Sequence, residues 1–232
     1  IWTIALCLLA CRVAGEGRSI AAPGAPFVSG DKLRYAAKTD GGPGGGRNDD
    51  YFAINEDEEF FVIANGSGAA GGAASKNVAD AFAEFYRKTS DEHATWLHPL
   101  DARLSYIENR LVSGLVWANT KLHAARQQRA TVVAAVVSGG KITIGHVGVD
   151  RAYLIRDGQI RQLTQDHTML EEYRRDHPDA PADELGRIPR KNVVSRALGR
   201  RPSVDVDVAT SDILVGDRIV LCSEGIELAL DD

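Results

Sequence analysis

No stretch of this chain stays apolar for the roughly 20 residues that a membrane-spanning helix requires. The apolar run at residues 3–11 falls far short of that length. It matches the apolar part of a secretory signal, and Leu8-Leu9-Ala10-Cys11 resembles a lipoprotein cleavage box, but no basic stretch precedes it. Basic charge is not in excess either. The 27 Lys and Arg against 32 Asp and Glu give a net charge of -5, which argues against nucleic acid or an anionic membrane surface as the main partner. Cysteine is scarce: Cys7, Cys11 and Cys222 are odd in number and irregular in spacing. That excludes a disulfide framework and points to a reduced, cytoplasmic setting, with export as the alternative if residues 3–11 act as a signal. The glycine-dense segment 41–46 lacks the Gly-Lys-Ser/Thr of a nucleotide-binding loop. The six histidines form no His-Glu-x-x-His pattern, and no Gly-x-Ser-x-Gly elbow occurs. Strand-helix-strand alternation is missing too, which argues against a doubly wound sheet.

What remains is a globular composition, 44% hydrophobic and 25% charged, long enough for one domain with a sizeable core. The chain begins at Ile1, and residues 15–30 are rich in Gly, Ala, Ser and Pro. Residues 1–31 therefore read as a leader or linker, and one domain is expected over 32–232. Period-two or continuous apolar runs predict strands at 33–39, 51–54, 60–64, 131–137, 141–147, 151–155, 159–163, 204–208 and 218–222. Asp157-Gly158 is a strong hairpin turn. Val78, Ala81, Phe82 and Phe85 recur at helical spacing within 73–88. Leu104, Ile107, Leu111, Leu115, Ala118, Leu122 and Ala125 do so within 101–126. Residues 168–176 predict a third helix, and 177–189 a proline-bearing loop. The stripes on both long helices are core-facing surface, and the fold class is α+β with antiparallel strands.

Three strands end in the same design, an apolar run closing on a polar or acidic residue with glycine beside it: Asn65-Gly66, Gly148-Val149-Asp150 and Glu224-Gly225. The hairpin joining 51–54 to 60–64 sets Asp49 and Asp50 beside Asn65 on one rim. Carboxylates gathered without histidine or cysteine suit hard cations such as magnesium or manganese. Solvated turn residues are the alternative that spacing alone leaves open.

In chain order, several segments together resemble one family. Thr39-Asp40-Gly41-Gly42 and Asn48-Asp49-Asp50-Tyr51-Phe52 resemble T-D-x-G-x-x-R-x-x-N-E-D. Residues 61–66 resemble V-V-A-D-G, and 145–154 resemble x-H-V-G-D-S-R-A-Y-L. Arg156-Asp157-Gly158 and Leu163-Thr164-Gln165-Asp166-His167 resemble R-D-G and L-T-x-D-H. Residues 192–199 resemble N-V-x-x-R-A-L-G, and 221–225 resemble L-L-C-S-D-G. The chain thus resembles the metal-dependent protein phosphatases of type 2C, the PPM family, in their bacterial form. The resemblance implies a sandwich of two antiparallel sheets flanked by antiparallel helix pairs. It implies two Mn2+ or Mg2+ ions and hydrolysis of phosphoserine or phosphothreonine, with a phosphoprotein substrate or a serine/threonine kinase as partner.

Carried over position by position, the resemblance puts Asp50 and Asn65 at catalytic positions. It puts Asp49, Asp50, Asn65, Gly66 and Glu224 at metal positions. The phosphate-clamping arginine falls on Gly45, leaving Arg47 as its replacement. Asn65 stands where the family has an aspartate bridging both ions, and an amide offers one neutral oxygen and an NH2 group instead. Glu224 keeps the charge of an aspartate but moves it by about 1.5 Å, against a tolerance of about 0.5 Å for a working site. Val149 occupies another aspartate position, and Asp150, shifted by one, is expected to point to the opposite face. The closing Asp-Asn pair of the family has no counterpart up to Asp232, so a domain incomplete at its C-terminus is expected. The expected function is a serine/threonine phosphatase of impaired activity, the alternative being a silent phosphatase-like binding or regulatory protein.

Overall fold

The computed structural model describes residues 4–12, 32–41, 46–91, 99–126 and 128–224, and for 4–12 and 32 the backbone alone. The expected linker, Gly45 and the helix start after Gly225 lie outside the described residues.

Antiparallel pairing builds two sheets of five strands each. One comprises β1 (Ile4–Arg12), β2 (Lys32–Asp40), β7 (Arg151–Arg156), β8 (Gln159–Gln162) and β10 (Arg218–Cys222), in the order β2-β1-β10-β7-β8. The other comprises β3 (Asp50–Asn55), β4 (Phe60–Ser67), β5 (Arg129–Ser138), β6 (Lys141–Val147) and β9 (Asp207–Asp212), in the order β3-β4-β5-β6-β9. Helices α1 (Gly71–Lys88) and α2 (Tyr106–Ala124) run antiparallel over the second sheet, with Arg110 beside Thr89 and Gly114 against Phe82. Helices α3 (Met169–Asp176) and α4 (Ala182–Gly186) are short and bury no residue. Among the described residues, no helix is long and apolar enough to cross a membrane.

The continuous apolar runs of β4 and β5 follow from their position between two layers. Phe60, Val62 and Ala64, with Val132, Ala134 and Val136, face α1 and α2. Phe61 and Ile63, with Val133, Ala135 and Val137, face Ala152, Leu154, Ile219 and Leu221 of the other sheet. A strand buried on both faces has no polar side to display, so alternation disappears.

Five expectations change, the first being that the loop expected over 177–189 holds the short helix α4 (Ala182–Gly186), which starts after Pro181 at its N-cap. Residues 4–12, read as part of a leader, form a strand with a hydrogen-bonded neighbour on each side, β2 and β10. A short apolar run suits an interior strand as well as a signal, and periodicity cannot separate the two. α2 begins at Tyr106 rather than near 101, because Ser105 and Glu108 cap each other's backbone amides in a capping box. β9 pairs from Asp207 rather than 204, since Val204 and Val206 pack on the helix-side core before pairing starts. Asp150 does not follow strand alternation. Residues 148–150 form a bend after β6, where Gly148 adopts φ +112°.

Candidate metal centre

The rim expected from the hairpin forms in register. Asp50 of β3 faces Asn65 of β4, which faces Thr131 of β5. Asp50 is 4% exposed, and its Oδ2 accepts a 2.8 Å hydrogen bond from the Ser223 hydroxyl at the end of β10, in the other sheet. Its amide donates to Asn48 Oδ1, whose amide group donates in turn to Thr39 of β2. The site is thus tied to both sheets. Gly66 donates its amide to the Asp49 carbonyl at 2.8 Å. A Cβ at Gly66 would lie 1.8 Å from the Gly71 carbonyl oxygen, so only glycine lets β4 pass this close to the start of α1.

Asp49 and Arg47 satisfy one another. Arg47 Nε and Nη2 reach the two Asp49 carboxylate oxygens at 2.6 and 2.8 Å. The same guanidinium donates to the carbonyls of Ala69 and Gly68. Its fork is spent on the turn after β4, and the pairing raises the already high pKa of Arg47.

Asp150 turns inward. It is 1% exposed, and neither carboxyl oxygen has a hydrogen-bond partner of normal geometry. Burial pushes its pKa well above the ordinary carboxylate value, and the charges of Asp50 and Glu224 push the same way. The Thr131 hydroxyl and the Glu224 amide favour its charged form, but outside ordinary hydrogen-bond reach or angle, and they do not offset the burial. Glu224 follows Ser223 and keeps much of its side chain in solvent. Crowding around its carboxylate raises its pKa, Asp166 adds to this, and Arg151 opposes it. Arg151 in turn holds Asp166 through Nε at 2.8 Å.

A cleft of about 240 Å³ opens at this rim, lined by Asn65, Thr131, Val149, Glu224, Arg129 and Arg200 among others. The two arginines had no signal in the sequence, because they come from β5 and from the segment before β9. Ser223 and His167 lay inside the family-like segments, but their roles needed the fold. His146, His167 and Asp207 form a tight group, with ligand atoms within 4.8 Å of one another. Their polar atoms are already engaged. The Gly148 amide donates to His167 Nδ1, His167 Nε2 faces Asp207 at 3.2 Å, and His146 Nε2 meets the Gln165 carbonyl at 2.8 Å. Arg196 also donates to Asp207. This group is a hydrogen-bonded clamp behind the 148–150 bend, and His146 is the packed histidine its strand position suggests.

The donors at the rim fit a hard divalent cation. Asp50, Asp150 and Glu224 offer only oxygen, the type magnesium and manganese prefer. The unsatisfied oxygens of Asp150 are the observation that decides this. These three carboxylates do not form a group as tight as the histidine clamp. That spacing suits an ion held by one or two carboxylates and water better than a closed protein cage.

A family model described as Protein phosphatase 2C matches residues 44–232. The serine/threonine phosphatase stp of Listeria welshimeri is 30% identical over 138 residues, 60% of this chain and 52% of its own length. The chain thus spans about half the length of the curated relatives it matches. Among solved structures, the serine/threonine phosphatase PstP/Ppp of Mycobacterium tuberculosis aligns with a TM-score of 0.62 at 24% identity, covering 80% of this chain and 76% of that one. The catalytic domain of a PstP in complex with two manganese ions aligns at 0.60 and 21% identity, covering 98% of this chain and 82% of that one. At these identities the structures establish a shared fold.

Proposed function

The chain belongs to the protein phosphatase 2C family, and from this premise we propose that it is a metal-dependent phosphatase acting on phosphoserine and phosphothreonine in proteins, with impaired turnover. The observation that carries the reading is the buried Asp50. It is held by Ser223 from the opposite sheet and pairs with Asn65, which together with Glu224 lines an arginine-lined cleft. Bound divalent ions supply activated water and neutralise the charge of the phosphoryl oxygens in such chemistry. Asp50 and Glu224 would hold the metal. Asn65 would orient by hydrogen bonding where a carboxylate would have bridged. Arg129 and Arg200 line the cleft and would take the substrate phosphate, since Arg47 is bound to Asp49. The impairment follows from the neutral amide of Asn65 and from the engagement of Asp49 with Arg47. Those same two features favour the second reading, a silent phosphatase-like binding protein.

Hydrolysis of a phosphothreonine peptide with excess Mn2+ separates the two. The first reading expects slow turnover by the unaltered chain, abolished in Asp50→Ala and raised roughly tenfold or more in Asn65→Asp, in line with the scale of one electrostatic contact in a transition state. No turnover in the unaltered chain, with turnover appearing only in Asn65→Asp, would establish the silent reading.

A further inference from the structure

Asp150 is a buried acid whose surroundings give it no adequate partner. Its carboxyl oxygens accept no hydrogen bond of normal geometry, and the charges that act on it most strongly, Asp50 and Glu224, are both negative. A buried polar group left in this state costs stability, and the like charges of Asp50 and Glu224 acting on it are relieved either by a proton on Asp150 or by a bound cation. The position is also fixed from behind. Gly148 donates to His167 Nδ1 at 3.0 Å and accepts from the His167 amide at 2.9 Å, which clamps the bend from both sides. A Cβ at Gly148 would fall 2.2 Å from Thr131 Cγ2, so the bend lies directly on the rim strand. Asp150 is therefore delivered to the site by a rigid turn.

The rim holds an imbalance that Asp150 corrects. Opposite Asp50 stands Asn65, a neutral side chain. The family pattern has serine where this chain has Asp150, and aspartate where it has Asn65. The carboxyl group missing from β4 is present on the 148–150 bend.

We propose that Asp150, together with Asp50, holds a divalent cation and supplies the charge that Asn65 does not. This rests on the metal-dependent reading of the site given above. The ion retains water in its remaining positions, as magnesium commonly does when one or two carboxylates bind it.

The test uses the full chain with Mn2+ as the probe. Binding is measured by titration calorimetry and by the electron paramagnetic resonance signal of bound Mn2+. Thermal melting is followed in EDTA and in Mn2+. The expected result is that Asp150→Asn and Asp150→Ser each weaken Mn2+ binding roughly tenfold or more, as removal of a charged ligand does. In EDTA both variants should melt at or above the temperature of the unaltered chain, because a buried unpaired acid is gone. The rise on adding Mn2+ should be lost. Asn65→Asp placed in the Asp150→Asn background should restore binding. Unchanged Mn2+ affinity in both Asp150 variants overturns the inference. If phosphopeptide turnover still depends on Asp50 in that case, the phosphatase reading stands without it. Lower melting of both variants in EDTA also overturns it, by assigning Asp150 a structural role.

Discussion

His146 shows how a single residue of the clamp connects acidity to stability. Its ring is buried in β6 and stacks on His167 with centroids 4.7 Å apart. Burial is the largest influence and lowers its pKa below the ordinary 6.5. The Gln165 carbonyl, Asp207 and Asp166 oppose that shift, and His167 adds to it. The folded chain therefore keeps His146 neutral while the unfolded chain takes up a proton near pH 6.5. Between those two values the unfolded state binds more protons, so stability falls as pH drops below about 6.5. Replacing His146 with Gln keeps a donor for the Gln165 carbonyl and removes the titration. The melting temperature of His146→Gln should decline less than that of the unaltered chain between pH 6.5 and 5. Identical slopes in parallel thermal melts would refute this account. At the neighbouring rim, residue identity alone misleads. Asn65 reads as a lost ligand and Asp150 as a misdirected one, but only the second reading depends on strand alternation, and the bend at Gly148 cancels it.

At the scale of elements, the contact between α2 and β6 depends on one missing side chain. A Cβ at Gly145 would lie 1.9 Å from Leu111 Cδ2 and 3.3 Å from Leu115 Cδ1. Both leucines are fully buried under α1 and β5, so neither has room to swing away. Gly145→Ala should destabilise the chain by about 1–3 kcal/mol, the usual cost of overpacking a filled core, read as a lower midpoint in urea. Adding Leu111→Ala should recover part of that loss, giving a non-additive pair. Additive losses would place the strain elsewhere. The sequence could not announce this contact, because Gly145 interrupts a strand pattern without naming what approaches it. It could announce the layers themselves. The runs at 60–64 and 131–137 are apolar at every position, which a strand buried on both faces requires, and the helical stripes at 78–85 and 107–122 face them. The capping box at Ser105 and Glu108, which the apolar stripe does not report, sets the start of α2. The convergence of Asp50 with Ser223 was not legible, since it joins residues of two sheets that are distant along the chain.

For the molecule as a whole, the two sheets are joined at the site through β10, and β10 depends on β1. Residues 6–10 pair with 218–222, and residues 4–12 pair along the length of β2. β1 thus separates β2 from β10, which have no other means of pairing in this order. β10 leads directly into Ser223, whose hydroxyl holds Asp50 in the other sheet, and then into Glu224. A chain lacking residues 1–12 would leave edges of both β2 and β10 open. Unpaired backbone in the middle of a sheet is costly and invites intermolecular pairing. The expected outcome is loss of cooperative melting, and loss of Mn2+ binding together with it, because Ser223 and Glu224 would no longer be held against Asp50. Circular dichroism melts and Mn2+ titration of the shortened chain beside the full one check both. A shortened chain that melts cooperatively at the same temperature would mean that the sheet closes without β1. Retained melting with lost Mn2+ binding would instead confine the role of β1 to the placement of β10, a narrower coupling between the first strand and the metal site.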